Sequence, residues 1–301
     1  MTVLQRVEGV SCMGVTTRFA PSPTGWLHLG HVHAAVFARD AARAAGGKFL
    51  VRLEDIDPAR CRPGFAQAAL EDLAWLGLTS DGPVRVQSEH LGEYRAALAG
   101  LAARGLAYPC FCSRAEIARE LAASAAAPHG PDGAPVYPGT CRLLPEAVRA
   151  ARLAAGAPHA WRLDMAAALR AAGGGAPLRF FERGTGFVAA APAPFGDVVL
   201  GRRDAPASYH LCVTHDDALQ GVSLVTRAED LRAATHLHVL LQRLLGLPTP
   251  EYAHHGLLRG PDGARLAKRD GALAVAALRA RGVPPDEVLA MAGGAGLNMA
   301  R

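Results

Sequence analysis

Apolar and polar positions follow two different periods along the first hundred residues. VTTRFAP (15–21) reads as a short strand ending at Pro21. HLGHVHAAVFARDAARAAGG (28–47) carries apolar residues at helical spacing and stops at Gly46 and Gly47, which predicts a helix closed by a glycine cap. KFLVRLEDID (48–57) is an apolar run that turns polar at its end and reads as a buried strand. PGFAQAALEDLAWLGL (63–78) follows as a helix, VRVQS (84–88) as a strand and EHLGEYRAALAGLAARG (89–105) as a helix. Strand and helix taken in turn predict βαβ units around a parallel sheet, and so an α/β fold.

The pattern changes after Gly105. LAYPCFCSR (106–114) leads into a short helix, then into a loop rich in Ala, Gly and Pro (122–142) and a stretch of mixed character. The α/β pattern returns with SYHLCVTHDD (208–217) and GVSLVTRAEDL (221–231), a strand running into a loop. RAATHLHVLLQRLLG (232–246) is helical, and residues 252–272 read as a strand, a turn and a basic loop. VPPDEVLAMAGG (283–294) starts a last helix on prolines. The expected organisation is a catalytic first half at 15–104, an inserted subdomain at 105–200, a second half at 201–271 and a short helical remnant at 272–301. No internal repeat is present.

Composition narrows the class. Half of the 301 residues are hydrophobic, enough for a sizeable core. No apolar run is long enough for a membrane span, and the first fourteen residues lack the pattern of a signal peptide. Met13 offers an alternative start. A cytoplasmic protein without a membrane partner is expected, with reduced thiols. Clustered cysteines then point to metal before disulfides. Cys12, Cys61 and Cys212 are solitary, whereas Cys110, Cys112 and Cys141 lie close enough to act together. The formal net charge of +5 is compatible with a nucleic-acid partner.

Four short segments carry candidate chemistry. RFAPSPTGWLHLGH (18–31) is a Pro/Gly loop running into a helix start, where free N–H groups and the helix dipole favour an anion. His28 and His31, three apart, share a face and can donate to phosphate oxygens; the competing reading is two surface or core histidines. Glu54, Asp55 and Asp57 crowd the C-terminal end of a strand, where open α/β sheets bind ligands. Asp57, before Pro58, is also read as a helix cap. Arg227 follows an apolar strand and can pair with a ligand carboxylate or, on the plainer reading, with Glu229 or Asp230 at the surface. Arg265, Lys268 and Arg269 form a basic loop suited to charge developing on phosphates.

In this order the segments resemble a class I aminoacyl-tRNA synthetase over nearly the whole chain, from about Thr17 to Gly282. HLGH resembles the HIGH signature and RLAKR the KMSKS signature, and RFAPSPTG is the form found in bacterial glutamyl-tRNA synthetases. The resemblance implies a Rossmann-like nucleotide-binding domain. It places L-glutamate on Arg18, Phe19, Ala20, Pro21, Ser22, Glu54, Tyr209 and Arg227. ATP, with Mg2+, falls on His28, Gly30, His31 and Lys268, and His28, His31 and Lys268 serve the chemistry. Glutamate has two carboxylates and one ammonium, and Arg18, Arg227 and Glu54 are the matching charges. The KMSKS-like loop departs from the usual pattern at Arg265, which keeps the charge, and at Ala267, which loses a hydroxyl.

Two further features resemble the short glutamyl-queuosine tRNA(Asp) synthetases. About thirty residues follow the KMSKS-like loop, so no anticodon-binding domain is expected. VYPGTC (136–141) resembles the segment in which a Tyr completes a zinc site built on three cysteines. That implies Zn2+ on Cys110, Cys112, Tyr137 and Cys141, with His129 as the rival fourth ligand and three buried thiols as the plain alternative. The resemblance implies activation of glutamate by ATP without tRNA, then transfer to the queuosine base of tRNA(Asp) by a monomer. The rivals are a truncated synthetase charging a tRNA 3′ end, a non-catalytic tRNA- or zinc-binding paralogue, and another adenylyl-transferring enzyme of the same superfold.

Overall fold

A computed structural model describes residues 14–122, 129–258 and 274–293. In chain order the strands are β1 (Thr16–Phe19), β2 (Lys48–Leu53), β3 (Arg85–Val86), β4 (Ala107–Cys110), β5 (Ala160–Leu163), β6 (Arg179–Glu182), β7 (Gly186–Ala189), β8 (Val199–Gly201), β9 (Leu224–Ala228) and β10 (Glu251–His255). The helices are α1 (Leu29–Ala44), α2 (Pro63–Trp75), α3 (Leu91–Ala103), α4 (Arg114–Ala122), α5 (Glu146–Ala154), α6 (Met165–Ala172), α7 (Tyr209–Leu219), α8 (Arg232–Leu245), α9 (Val275–Ala280) and α10 (Pro285–Met291).

The first half folds as its pattern predicts. β1, β2 and β3 pair in parallel. α1 buries Val32, Ala35, Val36 and Ala42 against Phe49, Val51 and Leu73. The turn after α1 uses both glycines. Gly46 has φ of 61°, and a Cβ on Gly47 would meet the Val15 carbonyl oxygen at 1.9 Å. VRVQS is a shorter strand than expected, because Gln87–His90 wind into a 3-10 turn.

β9, β10 and β6 form a second parallel set, with β7 antiparallel at its edge. The sets meet at β1 and β9 through a seam. The Ser223 N–H donates to the Thr16 carbonyl at 3.0 Å, and the Thr16 N–H donates to Ser223 Oγ at 3.0 Å. The chain runs from β1 to β2 on one side of the seam and from β9 to β10 on the other. Such a divergence leaves a crevice at the strands' C-terminal ends.

The stretch 105–200 divides its strands. β4, β5 and β8 build a separate antiparallel sheet. β6, in contrast, lies beside β10 in the larger sheet. Residues 179–189 therefore pack with the second half, unlike the single inserted subdomain expected from texture. α3, α6, α7 and α8 share a core of Leu98, Leu101, Ala168, Leu211, Leu237 and Leu240 that also takes in Ala107, Leu163 and Leu200 of the smaller sheet. No helix among the described residues is long and apolar enough to cross a membrane.

Candidate functional site

The C-terminal ends of β1, β2, β9 and β10 surround a cavity of about 900 Å³. Arg18, Phe19, Ala20, Pro21, Ser22, Glu54, Tyr209 and Arg227 all line it, together with His28, Gly30 and His31. The structure thus gathers the expected contacts on one space. Lys268, with Arg265 and Ala267, lies outside the described residues.

Two arginines dominate the cavity, and their surroundings differ. Arg18, on β1, donates through Nε to Asp217 Oδ1 at 2.9 Å and through Nη1 to the Thr226 carbonyl at 2.8 Å, bridging the seam. Asp217 also accepts from Arg52 Nη1 at 2.8 Å, and Arg52 Nη2 donates to Glu54 Oε1 at 3.0 Å. Arg52 is fully buried. Behind it Asp216 accepts from Arg85 Nε, Gln87 Nε2 and the Tyr94 hydroxyl. Burial opposes ionisation of Asp217, but the Arg18 and Arg52 guanidiniums hold its carboxyl below the usual range. Burial pushes the Glu54 carboxyl up, only partly offset by Arg52 and Arg18. A ligand ammonium at Glu54 would favour its ionised form.

Arg227, on β9, has no carboxylate partner among the described residues. Its Nε donates to His254 Nε2 at 3.2 Å, its Nη1 to His238 Nδ1 at 3.1 Å and its Nη2 to Thr235 Oγ1. Its guanidinium also lies 5.4 Å from the centre of the Tyr252 ring. The surface pairing with Glu229 or Asp230 does not form: Glu229 pairs with Arg232, and Arg227 is buried. Tyr209 stands beside Arg227 at the start of α7, and burial raises its phenol so that it remains a donor.

His28 is the N-cap of α1 and not a helical residue, and it takes part in a reciprocal cap. His28 Nδ1 accepts from the Gly30 N–H at 3.1 Å, and His31 Nδ1 accepts from the His28 N–H at 3.2 Å. The rings lie against each other with centres 3.8 Å apart and planes tilted by 31°. An Nδ1 that accepts carries no proton, so a neutral imidazole here has its hydrogen on Nε2, as a donor. Gly30 permits this contact, since a Cβ there would lie 3.0 Å from His28 Cε1. His33 also borders the cavity, but its Nδ1 lies 2.9 Å from the Ala292 carbonyl and its ring packs against His255.

Asp57 does not cap α2, whose N-cap is Arg62. It accepts from the Ala59 N–H and pairs with Arg60 and Arg202, so it closes a turn before the helix. Sequence reasoning also passed over Arg52, Asp216, Asp217, Glu182, His238 and His254. Arg52 is a cation inside an apolar strand, and Asp216 and Asp217 are paired acids on an apolar helix. Both are signals of a buried charge network. The two histidines have no such signal, because their partner lies on another strand.

The thiols of Cys110, Cys112 and Cys141 lie within 4.8 Å of one another. Tyr137 joins them: its oxygen is 3.4 Å from Cys112 Sγ and accepts from the Cys141 N–H at 2.9 Å. The Phe111 N–H donates to Cys141 Sγ, and the Arg162 guanidinium covers the Tyr137 ring at 3.9 Å. His129 is exposed and bridges to Pro135 instead.

Known proteins resemble the chain in sequence and fold. Residues 14–301 match the model of the tRNA synthetases class I (E and Q), catalytic domain. The chain is 50% identical to a glutamyl-Q tRNA(Asp) synthetase of Rhodobacter capsulatus, covering 92% of this chain and 99% of that one. It is 46% identical to one of Nocardia farcinica, covering 93% and 84%. A crystal structure of a glutamate tRNA ligase from Elizabethkingia meningosepticum in complex with its amino acid superposes with a TM-score of 0.71 at 30% identity. That match covers 86% of this chain and 52% of the solved one, so the chain spans about half its length. A methionyl-tRNA synthetase from Mycobacterium tuberculosis, 12% identical with a TM-score of 0.54, shares the fold alone. The motifs, the crevice at the strand ends and these relatives agree: the chain belongs to the class I tRNA synthetases, among the glutamyl-Q tRNA(Asp) synthetases, and is a ligase.

Proposed function

We propose that the chain activates L-glutamate with ATP in the absence of tRNA and transfers it to the queuosine base of tRNA(Asp). The observation that carries this reading is the cation of Arg227, without a carboxylate partner among the described residues and facing the same cavity as the paired Arg18 and Glu54. A free amino acid with a second carboxylate supplies what those groups lack.

The side-chain carboxylate falls to Arg227, for a chemical reason. On activation the α-carboxylate becomes the uncharged acyl group of a mixed anhydride, whereas the side-chain carboxylate keeps its charge. A buried cation without a counter-charge is best matched to the group that stays anionic. Arg18 Nη2 then serves the reacting carboxylate, and Glu54 with the Tyr209 hydroxyl takes the ammonium end. An α-carboxylate oxygen attacks the α-phosphorus of Mg-ATP, the bond to the β-phosphate oxygen breaks, and pyrophosphate leaves. His28 and His31 donate to phosphate oxygens at the helix start, where its dipole adds to them. A cyclopentene-diol hydroxyl of queuosine next attacks the activated carbonyl, its proton is lost, and AMP departs. Positioning and charge stabilisation suffice, without a side-chain nucleophile.

A zinc ion suits the cysteine cluster, with Cys110, Cys112, Cys141 and Tyr137 as its ligands. The donor set is four-coordinate, and the cation over Tyr137 offsets the negative charge such ligands bring. Bound there, zinc would clamp β4 to the 137–141 loop and take no part in the chemistry. The chain divides at 15–104, 105–200, 201–271 and 272–301, with 179–189 packed into the larger sheet.

Glutamate-dependent ATP–pyrophosphate exchange without tRNA is expected, and its absence overturns the catalytic reading. Labelled glutamate should reach tRNA(Asp) only when queuosine is present. Equal labelling of queuosine-free tRNA, or labelling of tRNA(Glu), favours a synthetase that charges 3′ ends. Purified protein should hold one zinc, lost in the Cys110→Ala, Cys141→Ala double variant, and metal that stays bound in that variant rules out this site.

A further inference from the structure

Arg227 is gripped from behind by imidazoles, and their protonation is dictated by geometry. A guanidinium only donates, so each ring nitrogen facing it must hold a lone pair. His238 therefore accepts at Nδ1 and, being neutral, carries its proton on Nε2. That proton faces His210 Nδ1 at 3.1 Å. His254 accepts at Nε2 and carries its proton on Nδ1, which donates to Glu182 Oε2 at 2.9 Å. Glu182 is locked in turn by the His254 backbone N–H at 3.1 Å. His238 is only 3% exposed, and the His254 side chain is fully buried. Neither lines the cavity. The His238 ring also lies 5.7 Å from the Tyr209 ring, so it backs a second residue of the glutamate end.

These partners use three of the five N–H groups of Arg227 and leave one on each Nη. Their neutrality matters as much as their number. A carboxylate in either place would discharge the guanidinium, and an amide ligand would then be tolerated almost as well as an acid. We propose that His238 and His254 are positioning residues that hold Arg227 as a cation with no carboxylate in direct contact among the described residues, and so set the preference for glutamate over glutamine. This rests on Arg227 holding the side-chain carboxylate. Burial first, and the nearby Arg227 cation after it, keeps both rings neutral across the physiological range: His254 is lowered to about 3, and His238 falls well below its ordinary value.

The test is tRNA-free ATP–pyrophosphate exchange with glutamate and with glutamine, alongside thermal melting. His238→Leu should raise the KM for glutamate about tenfold, equivalent to about 1.4 kcal/mol, with the KM for ATP and the kcat within about twofold. His238→Asn places an amide oxygen near the Nδ1 position and should recover most of that loss. His238→Asp should lower the glutamate-to-glutamine ratio of kcat/KM by about tenfold or more. Equal losses for both substrates that track melting, or an unchanged KM in His238→Leu, overturn the proposal. If His238→Leu does not fold, His254→Leu against His254→Gln gives the same reading. Arg227→Leu is the control: an unchanged KM for glutamate there sinks the underlying assignment of Arg227, whereas a raised KM with silent histidine variants sinks only this inference.

Discussion

Arg18 and Arg227 stand on adjoining strands at one cavity, buried to nearly the same degree, 5% and 6% exposed, yet they are held by opposite chemistry. Arg18 belongs to a network with carboxylates at its centre, in which Asp217 serves two guanidiniums and Asp216 stands behind. Arg227 leans on two imidazoles and a hydroxyl. The first arginine is part of the scaffold and its charge is answered from within. The second has no carboxylate in contact among the described residues. Burial alone does not tell these two cations apart, but the charge of their partners does.

The largest expected effect breaks the scaffold side. Asp217→Asn leaves Arg18 and Arg52 without their shared carboxylate and should cost about 3–5 kcal/mol of stability, read as a fall in the urea midpoint. A midpoint within error of the parent would show that Asp217 is not the keystone of that network. Arg227→Leu should do the reverse, costing about 2–5 kcal/mol in glutamate binding with little loss of melting temperature. A variant that melts early and still binds glutamate would erase the contrast.

The same contrast has a pH signature. Burial, with Arg227 next, depresses His254 in the folded protein to about 3, against an ordinary value of about 6.5. Between those values the unfolded chain binds the extra proton, so stability rises with pH across this window. The contribution is complete above about 6.5 and is lost as pH falls toward 3, at up to about 1.4 kcal/mol per pH unit. Asp217, lowered in the fold, adds its loss only below the ordinary carboxylate range. The unfolding midpoint should therefore fall already between about pH 6.5 and about pH 4.5, and His254→Gln should flatten that limb. A limb unchanged by the substitution would place its origin elsewhere.

Smallest is the helix cap. His28→Ala removes the acceptor for the Gly30 N–H and should cost about 1 kcal/mol of stability, with a raised KM for ATP and an unchanged KM for glutamate. A rise in the glutamate value instead would mean that the two ends of the cavity are not separable.

The first half was legible because its signals are local. The period of VTTRFAP, of the 28–47 helix and of KFLVRL fixes β1, α1 and β2, and the motifs place Arg18, Glu54 and His31 at their ends. Arg227 was visible as a residue but not as a buried one, since its company comes from α8 and β10. His238 falls on an amphipathic helix and reads as any core-facing residue; its role depends on the strand it faces. β6 was hidden for the same reason. Nothing within 179–182 tells that Glu182 will pair with Tyr252. Tyr137 rested on the resemblance, with His129 as its rival; in the fold the Tyr137 oxygen lies 3.4 Å from Cys112 Sγ, whereas His129 bridges to Pro135.

The scaffold also has an order in time. Arg18 and Asp217 are 199 residues apart, and Arg52 and Asp217 are 165 apart. A ribosome making this chain releases both arginines long before the acid that balances them. β1, β2 and α1 can form early, but closing them would bury Arg18 unanswered and leave Glu54 alone to balance Arg52. The nascent first half must therefore remain open at its strand ends until α7 emerges, and β9 and β10 complete the pocket only after that. Glutamate meets no finished site on a half-made chain, and a fragment ending before α7 should be caught by proteases where the whole protein is not.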